Sequence, residues 1–167
     1  MDSHDTRGED VSGKPPSDSD LQRLWFTTRQ QGWSSLAIIP SDAAVDAGRV
    51  AESLVATGRL YGERTVSLLN ARGAQLTGVH DLVDLLGVMT GRGEWVIVPV
   101  DPIEDSPSAV PIVRATSAAI LVVRLGESLL NSARTAIEAI GRERFLGSIV
   151  LGDDDVPGSA NVLHKAP

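Results

Sequence analysis

The 167-residue sequence contains no cysteine. That absence removes disulfides, thiolate nucleophiles and Cys-ligated zinc or iron–sulfur centres. Histidine is almost as scarce. His4, His80 and His164 lie far apart, two of them near the ends, so a metal site would have to be built from one central imidazole plus carboxylates. Lysine occurs only as Lys14 and Lys165. Between residues 21 and 152 there are twelve cations, all arginine, against thirteen carboxylates, so chemistry that needs a lysine in the folded body is excluded. A body this close to neutral also lacks the basic stripe that neutralises phosphates, which argues against nucleic acid as a partner. No run approaches the ~18 apolar residues of a membrane span, and the first residues form no apolar signal segment. A cytoplasmic domain without direct membrane insertion is the expectation.

What the chain does have is 42% hydrophobic content in a length typical of one domain. Most of the formal charge of −7 sits at the ends, with six carboxylates among residues 1–20 and Asp153, Asp154 and Asp155 near the other terminus. Residues 1–18, rich in Ser, Asp, Gly and Pro, read as a disordered acidic leader, 19–152 as a single domain and 153–167 as a flexible tail. Within the domain, short apolar runs alternate with helical patterns. Leu36–Ile39, Thr65–Leu69, Trp95–Val98, Ala118–Val123 and Leu146–Leu151 read as buried parallel strands, the third ended by Pro99. A helix with Leu21, Leu24, Trp25 and Phe26 precedes the first strand and is expected to stop near Gly32. Helices at about 43–60, 79–90, 109–115 and 127–140 fill the gaps, the first of these capped by Ser41-Asp42. This alternation predicts a three-layer α/β domain: a mostly parallel sheet of about five strands with helices on both faces. Ligands of such sheets bind beyond the carboxyl ends of the strands, which directs attention to residues 40–49, 70–78, 99–108 and 124–128.

The loop Pro40–Val50 stands where a phosphate-binding loop would stand. Such a loop needs glycines that let its amides wrap a phosphate, a lysine, and a hydroxyl for magnesium. Gly48 is its only glycine, no lysine is present, Val50 has no hydroxyl, and Asp42 and Asp46 would repel an anion. Arg49 and the helix N-terminus are weak substitutes. At the third strand end, Pro99 holds the place of a magnesium-binding carboxylate, and Asp101 comes two residues later beside Pro102. Ser34, Ser41, Ser106 and Ser108 are nucleophiles by residue type alone, because no nucleophile elbow surrounds them. Glu104-Asp105, ahead of Ser106-Pro107, has the residue types of an acid–base pair but reads more readily as a helix N-cap region. Trp25, Phe26 and Trp33 divide between core and interface readings.

From about residue 20 to 151 the order of these pieces resembles the cytoplasmic domain of bacterial tyrosine kinases, which are MinD/ParA-like P-loop proteins of capsular and extracellular polysaccharide export. The resemblance is carried by Gly93–Pro102, by Ser106–Ala109 with Ala118–Arg124, and by Ala136–Leu151, which is similar to the family's last helix, turn and strand. The same resemblance places the Walker A segment on Ser41–Val50, the Walker A′ aspartate near Asn70 in Leu68-Leu69-Asn70-Ala71-Arg72, and the Walker B aspartate on Pro99. Each of those positions has lost its chemical group. Tyr61 is the only tyrosine, so the family's autophosphorylated tyrosine cluster is not in this sequence. The family's oligomer motif, Glu-x-x-Arg-x-x-Arg, is matched by Asp20 and Arg23, while Phe26 replaces the last arginine.

The reading that follows is a catalytically inactive scaffold or regulator of polysaccharide biosynthesis and export that needs no cofactor. Its degenerate nucleotide positions are Ser41, Asp42, Asp46, Gly48, Arg49, Asn70, Arg72, Pro99 and Asp101. Its interface candidates are Asp20, Arg23, Trp25 and Phe26, facing a membrane-anchored polysaccharide co-polymerase or a second copy of the chain. One alternative is a MinD/ParA-like assembly regulator outside polysaccharide export. Another is an enzyme that holds an anion or sugar nucleotide through Arg49, Arg72 and helix N-termini, with Arg124 at a further strand end.

Overall fold

A computed structural model describes residues 18–124 and 130–152. Residues 1–17 of the expected leader, the tail 153–167 and residues 125–129, which hold most of the strand-end loop 124–128 and the start of the helix expected at 127–140, lie outside this range, whereas Asp18 of the expected leader begins the first helix. Five strands, β1 (Ser35–Pro40), β2 (Val66–Leu68), β3 (Trp95–Pro99), β4 (Ala118–Arg124) and β5 (Phe145–Leu151), form one sheet in the order β2-β3-β1-β4-β5. Every neighbouring pair is parallel. β1 is central, with Leu36 opposite Ile97 on one side and Ala118 on the other, and all six of its residues are buried. A strand covered on both faces has no need of polar alternation, which is why it reads as an unbroken apolar run.

Helices α1 (Asp18–Arg29) and α2 (Ala47–Tyr61) cover one face, packing on Leu36, Ile38, Val66, Trp95, Ile97 and Ile120. Helices α3 (Val79–Gly91), α4 (Ala109–Ala115) and α5 (Leu130–Ile140) cover the other, against Ala37, Ile39, Val96, Val98, Ala119 and Leu121. The three-layer α/β architecture is therefore as the alternation of elements predicts. On α1 the inward residues Leu21, Leu24, Trp25 and Thr28 follow the spacing of one helical face. All three tryptophans meet beneath that helix, with Trp25 edge-on to Trp33 at 5.8 Å and to Trp95 at 5.6 Å between ring centroids. The Arg29 guanidinium lies 3.5 Å from the Trp95 centroid and donates to the Trp33 carbonyl at 2.6 Å. Burial first, and the nearby Arg64 second, hold the Arg29 pKa below its ordinary value.

Several sequence expectations shift. α1 stops at Arg29, and the chain turns through Gly32, whose φ of 72° suits glycine. α2 begins at Ala47, not near 43, because Asp42 is engaged in a local turn in which its Oδ1 accepts from the Ala44 amide. Asp46 caps α2 instead, accepting from the Arg49 amide at 3.2 Å. Pro99, expected just past Val98 as the stop of β3, is the last residue of that strand, opposite Ile38, with its carbonyl accepting from the Ala71 amide at 3.1 Å. Glu104-Asp105 is not the N-cap of α4. That position is Ser108, whose hydroxyl donates to the Ala74 carbonyl at 2.6 Å, and Glu104 accepts from Ser132 at 3.0 Å.

Candidate functional site

The carboxyl ends of β1, β2 and β3 open onto a cleft of about 330 Å³. Its wall comprises Pro40, Ala43, Val45 and Ala47 from the β1–α2 segment, Arg72, Gly73 and Ala74 after β2, and Val100, Asp101, Pro102, Asp105 and Ser106 after β3. This is the location the fold assigns to ligands. Of the candidate residues, Arg72 and Asp101 line the cleft directly, and Asp46 stands beside Ala47 at the start of α2.

Several amides between β1 and the first turn of α2 donate within the protein. The Ser41 amide donates to the Val122 carbonyl, Ala44 to Asp42 Oδ1, Val45 to the Asp42 carbonyl and Ala47 to the Val45 carbonyl. Arg49 donates to Asp46 Oδ1 and Val50 to the Asp46 carbonyl. Ser41 Oγ donates to Asp42 Oδ2 at 3.0 Å, so both carboxylate oxygens of Asp42 serve the loop. A phosphate cradle requires amides that converge on an outside anion. Here the anion at the head of α2 is the protein's own Asp46 carboxylate, placed where the helix dipole favours negative charge.

Arg72 completes this internal arrangement. Its Nη1 lies 3.2 Å from Asp46 Oδ1, and a Cβ added at Gly48 would run into that same nitrogen. Gly48 thus makes room for an arginine of the neighbouring loop rather than for a phosphate. The Arg72 backbone is held by Asn70, whose Oδ1 accepts its amide at 3.2 Å. Next to it the Gly73 amide donates to Asp101 Oδ2 at 2.6 Å. Asp101, expected as a solvated turn residue, is half-buried and ties the loop after β3 to the loop after β2.

A nucleoside triphosphate with magnesium does not fit these residues. The described chain holds no lysine, Pro99 offers no carboxylate, and the loop amides named above are already donated within the protein. Among the described residues no group of three or more His, Asp or Glu is placed to hold a metal ion. The serines do not form a catalytic set. Ser34 lies at the opposite, amino end of the sheet, where its amide donates to Ser117 Oγ, and Ser106 and Ser108 bond each other at 2.8 Å. His80 is exposed on α3 beside Asp84, 3.4 Å away.

The interface candidates separate by burial. Trp25 is 2% exposed and fills the core, so it offers no surface to a partner. Arg23 is exposed and Asp20 half-buried. Phe26, 51% exposed, tilts against Tyr61 on α2 with centroids 5.7 Å apart. Sequence reasoning missed the Asp46–Arg72 and Gly73–Asp101 links. Only the first left a local trace, an aspartate three residues ahead of the amide it caps.

No family model matches the sequence, and no curated protein does. Solved structures do match. The kinase domain of Escherichia coli tyrosine kinase ETK superposes with a TM-score of 0.63 at 14% identity, over 84% of this chain and 76% of that one. The chimerical protein CapA2B2 gives 0.65 at 13% identity, over 83% and 85% of the two chains. The BceF tyrosine kinase domain gives 0.60 at 14% identity, over 82% and 77%. The parallel five-stranded sheet with its cleft at the strand ends is thus of the P-loop-like α/β class. Within that class the chain has the fold of the bacterial tyrosine kinase domains, at a level of identity that speaks for the fold alone.

Proposed function

We propose that this chain is a catalytically silent relative of the bacterial tyrosine kinase domains. It would act as a scaffold or regulator in capsular or extracellular polysaccharide biosynthesis and export, on the cytoplasmic side of the membrane. Its partner in this reading is a membrane-anchored polysaccharide co-polymerase or a further copy of the chain. The observation that carries the proposal is the occupied head of α2: Asp46 takes the place of an anion, and Arg72 takes the space over Gly48. The Asp46 carboxylate at the head of α2 would repel an anion there, which weighs against an anion- or sugar-nucleotide-binding enzyme.

Complementation in the source organism tests this reading. Deleting the gene is expected to change the yield or length distribution of an extracellular polysaccharide. Both the wild type and Arg72→Ala are expected to restore it fully, since the cleft turns nothing over. An unaltered polymer in the deletion strain, or failure of an expressed and folded Arg72→Ala chain to complement, would refute the proposal.

A further inference from the structure

Seven of the 13 residues of helix α3 are apolar, yet Leu86 is its only buried residue. At 100° per residue, Asp81, Leu85, Val88 and Arg92 fall within one stripe about 60° wide. Arg92 is included because it continues the helical backbone as the C-cap, its amide donating to the Val88 carbonyl. Leu85 and Val88 are 47% and 49% exposed, and Asp81 and Arg92 are exposed at either end. Among the described residues neither of those two charges has an ion-pair partner. A Cβ built at Gly87 or Gly91 would meet nothing within 4 Å, so the flank of the stripe stands open.

The stripe runs acid, apolar, apolar, base. Leu85 follows Asp81 by four positions, and Arg92 follows Val88 by four. Turned by 180° about an axis midway between Leu85 and Val88, a second copy lays its Arg92 against Asp81 and its Val88 against Leu85. It receives the same contacts in return, which is the defining property of a two-fold interface. We propose that the exposed face of α3 pairs antiparallel with α3 of a second copy of this chain. The apolar pair supplies burial, and the two Asp81–Arg92 contacts set direction and register. One helix pair buries less than the roughly 1,200 Å² of a standard stable interface, so the dimer is weak, with a dissociation constant on the order of 100 μM. The proposal concerns a face of α3 outside the cleft lining and stands whether or not the cleft binds nucleotide.

Sedimentation equilibrium of the full chain over a concentration series tests it, with circular dichroism confirming that each variant is folded. A reversible monomer–dimer equilibrium is expected. Asp81→Arg and Arg92→Asp should each raise its dissociation constant about tenfold, because both contacts turn repulsive. The double variant Asp81→Arg/Arg92→Asp should return to within about threefold of wild type, since reversing both ends restores attraction. A wild type that stays monomeric throughout would overturn the proposal. So would a dimer indifferent to the single reversals, or a double variant that does not recover.

Discussion

Gly58 and Trp25 show how closely the helical layer is fitted. A Cβ on Gly58, in the middle of α2, would stand 2.6 Å from Trp25 Cη2 and 2.7 Å from Cζ3. Trp25 cannot retreat, because Trp33 and Trp95 close around it. Gly58→Ala gains about 1 kcal/mol in helix propensity, but it forces a buried indole out of place at a cost of about 1–3 kcal/mol or more. A net loss of stability is therefore expected, read as a lower midpoint in urea and a changed tryptophan emission. Gly48 is the opposite case, since the atom in its way is the tip of a half-exposed arginine that can swing out. The same sequence feature, a glycine inside an apolar helix, thus serves core packing at one position and the Arg72 side chain at the other. Nothing local in the sequence distinguishes the two, because Trp25 and Arg72 both arrive from other elements.

At the scale of elements, the head of α2 is held by a single side chain. Asp46→Ala removes the cap and the partner of Arg72 together. It is expected to lower stability by about 1 kcal/mol, nearly all of it from the cap, because an exposed ion pair contributes little. Chemical denaturation checks this, and a matched loss in Arg72→Ala would show that the ion pair matters more than the cap. The three inner strands were legible in the sequence because burial on both faces turns each into an apolar run, and β3 with Trp95–Val98 and β4 with Ala118–Val123 were read nearly residue for residue. Helix starts were less legible. Ser41-Asp42 has the composition of a cap as much as Asp46 does, and only the backbone turn that engages Asp42 decides between them. The burial of Trp25 beside the exposure of Phe26 was likewise hidden, because two consecutive aromatics on a helix face different ways and the docking angle on the sheet settles which is covered. The cleft's location followed from topology, whereas its closing contacts, Asp46 with Arg72 and Gly73 with Asp101, join residues 26 and 28 positions apart. No periodicity reports such pairs.

For the whole molecule, an arginine-only body of balanced charge carries the fold of a kinase domain around a cleft of about 330 Å³ at whose edge Asp46 and Arg72 pair. The sheet order β2-β3-β1-β4-β5, the two helical layers and the cleft at the strand ends are set by the core, while Asp46, Arg72 and Pro99 stand at or beyond the strand ends. Fold and chemistry are separable in this way because the core depends on apolar runs in the strands, and catalysis depends on a few residues at their ends. Isothermal titration calorimetry of the full chain with Mg-ATP and Mg-ADP tests the central claim most directly. No saturable heat is expected at nucleotide concentrations up to about 1 mM, the range in which a binding free energy of about −4 kcal/mol would register. Saturable binding of either nucleotide with a micromolar dissociation constant would contradict it.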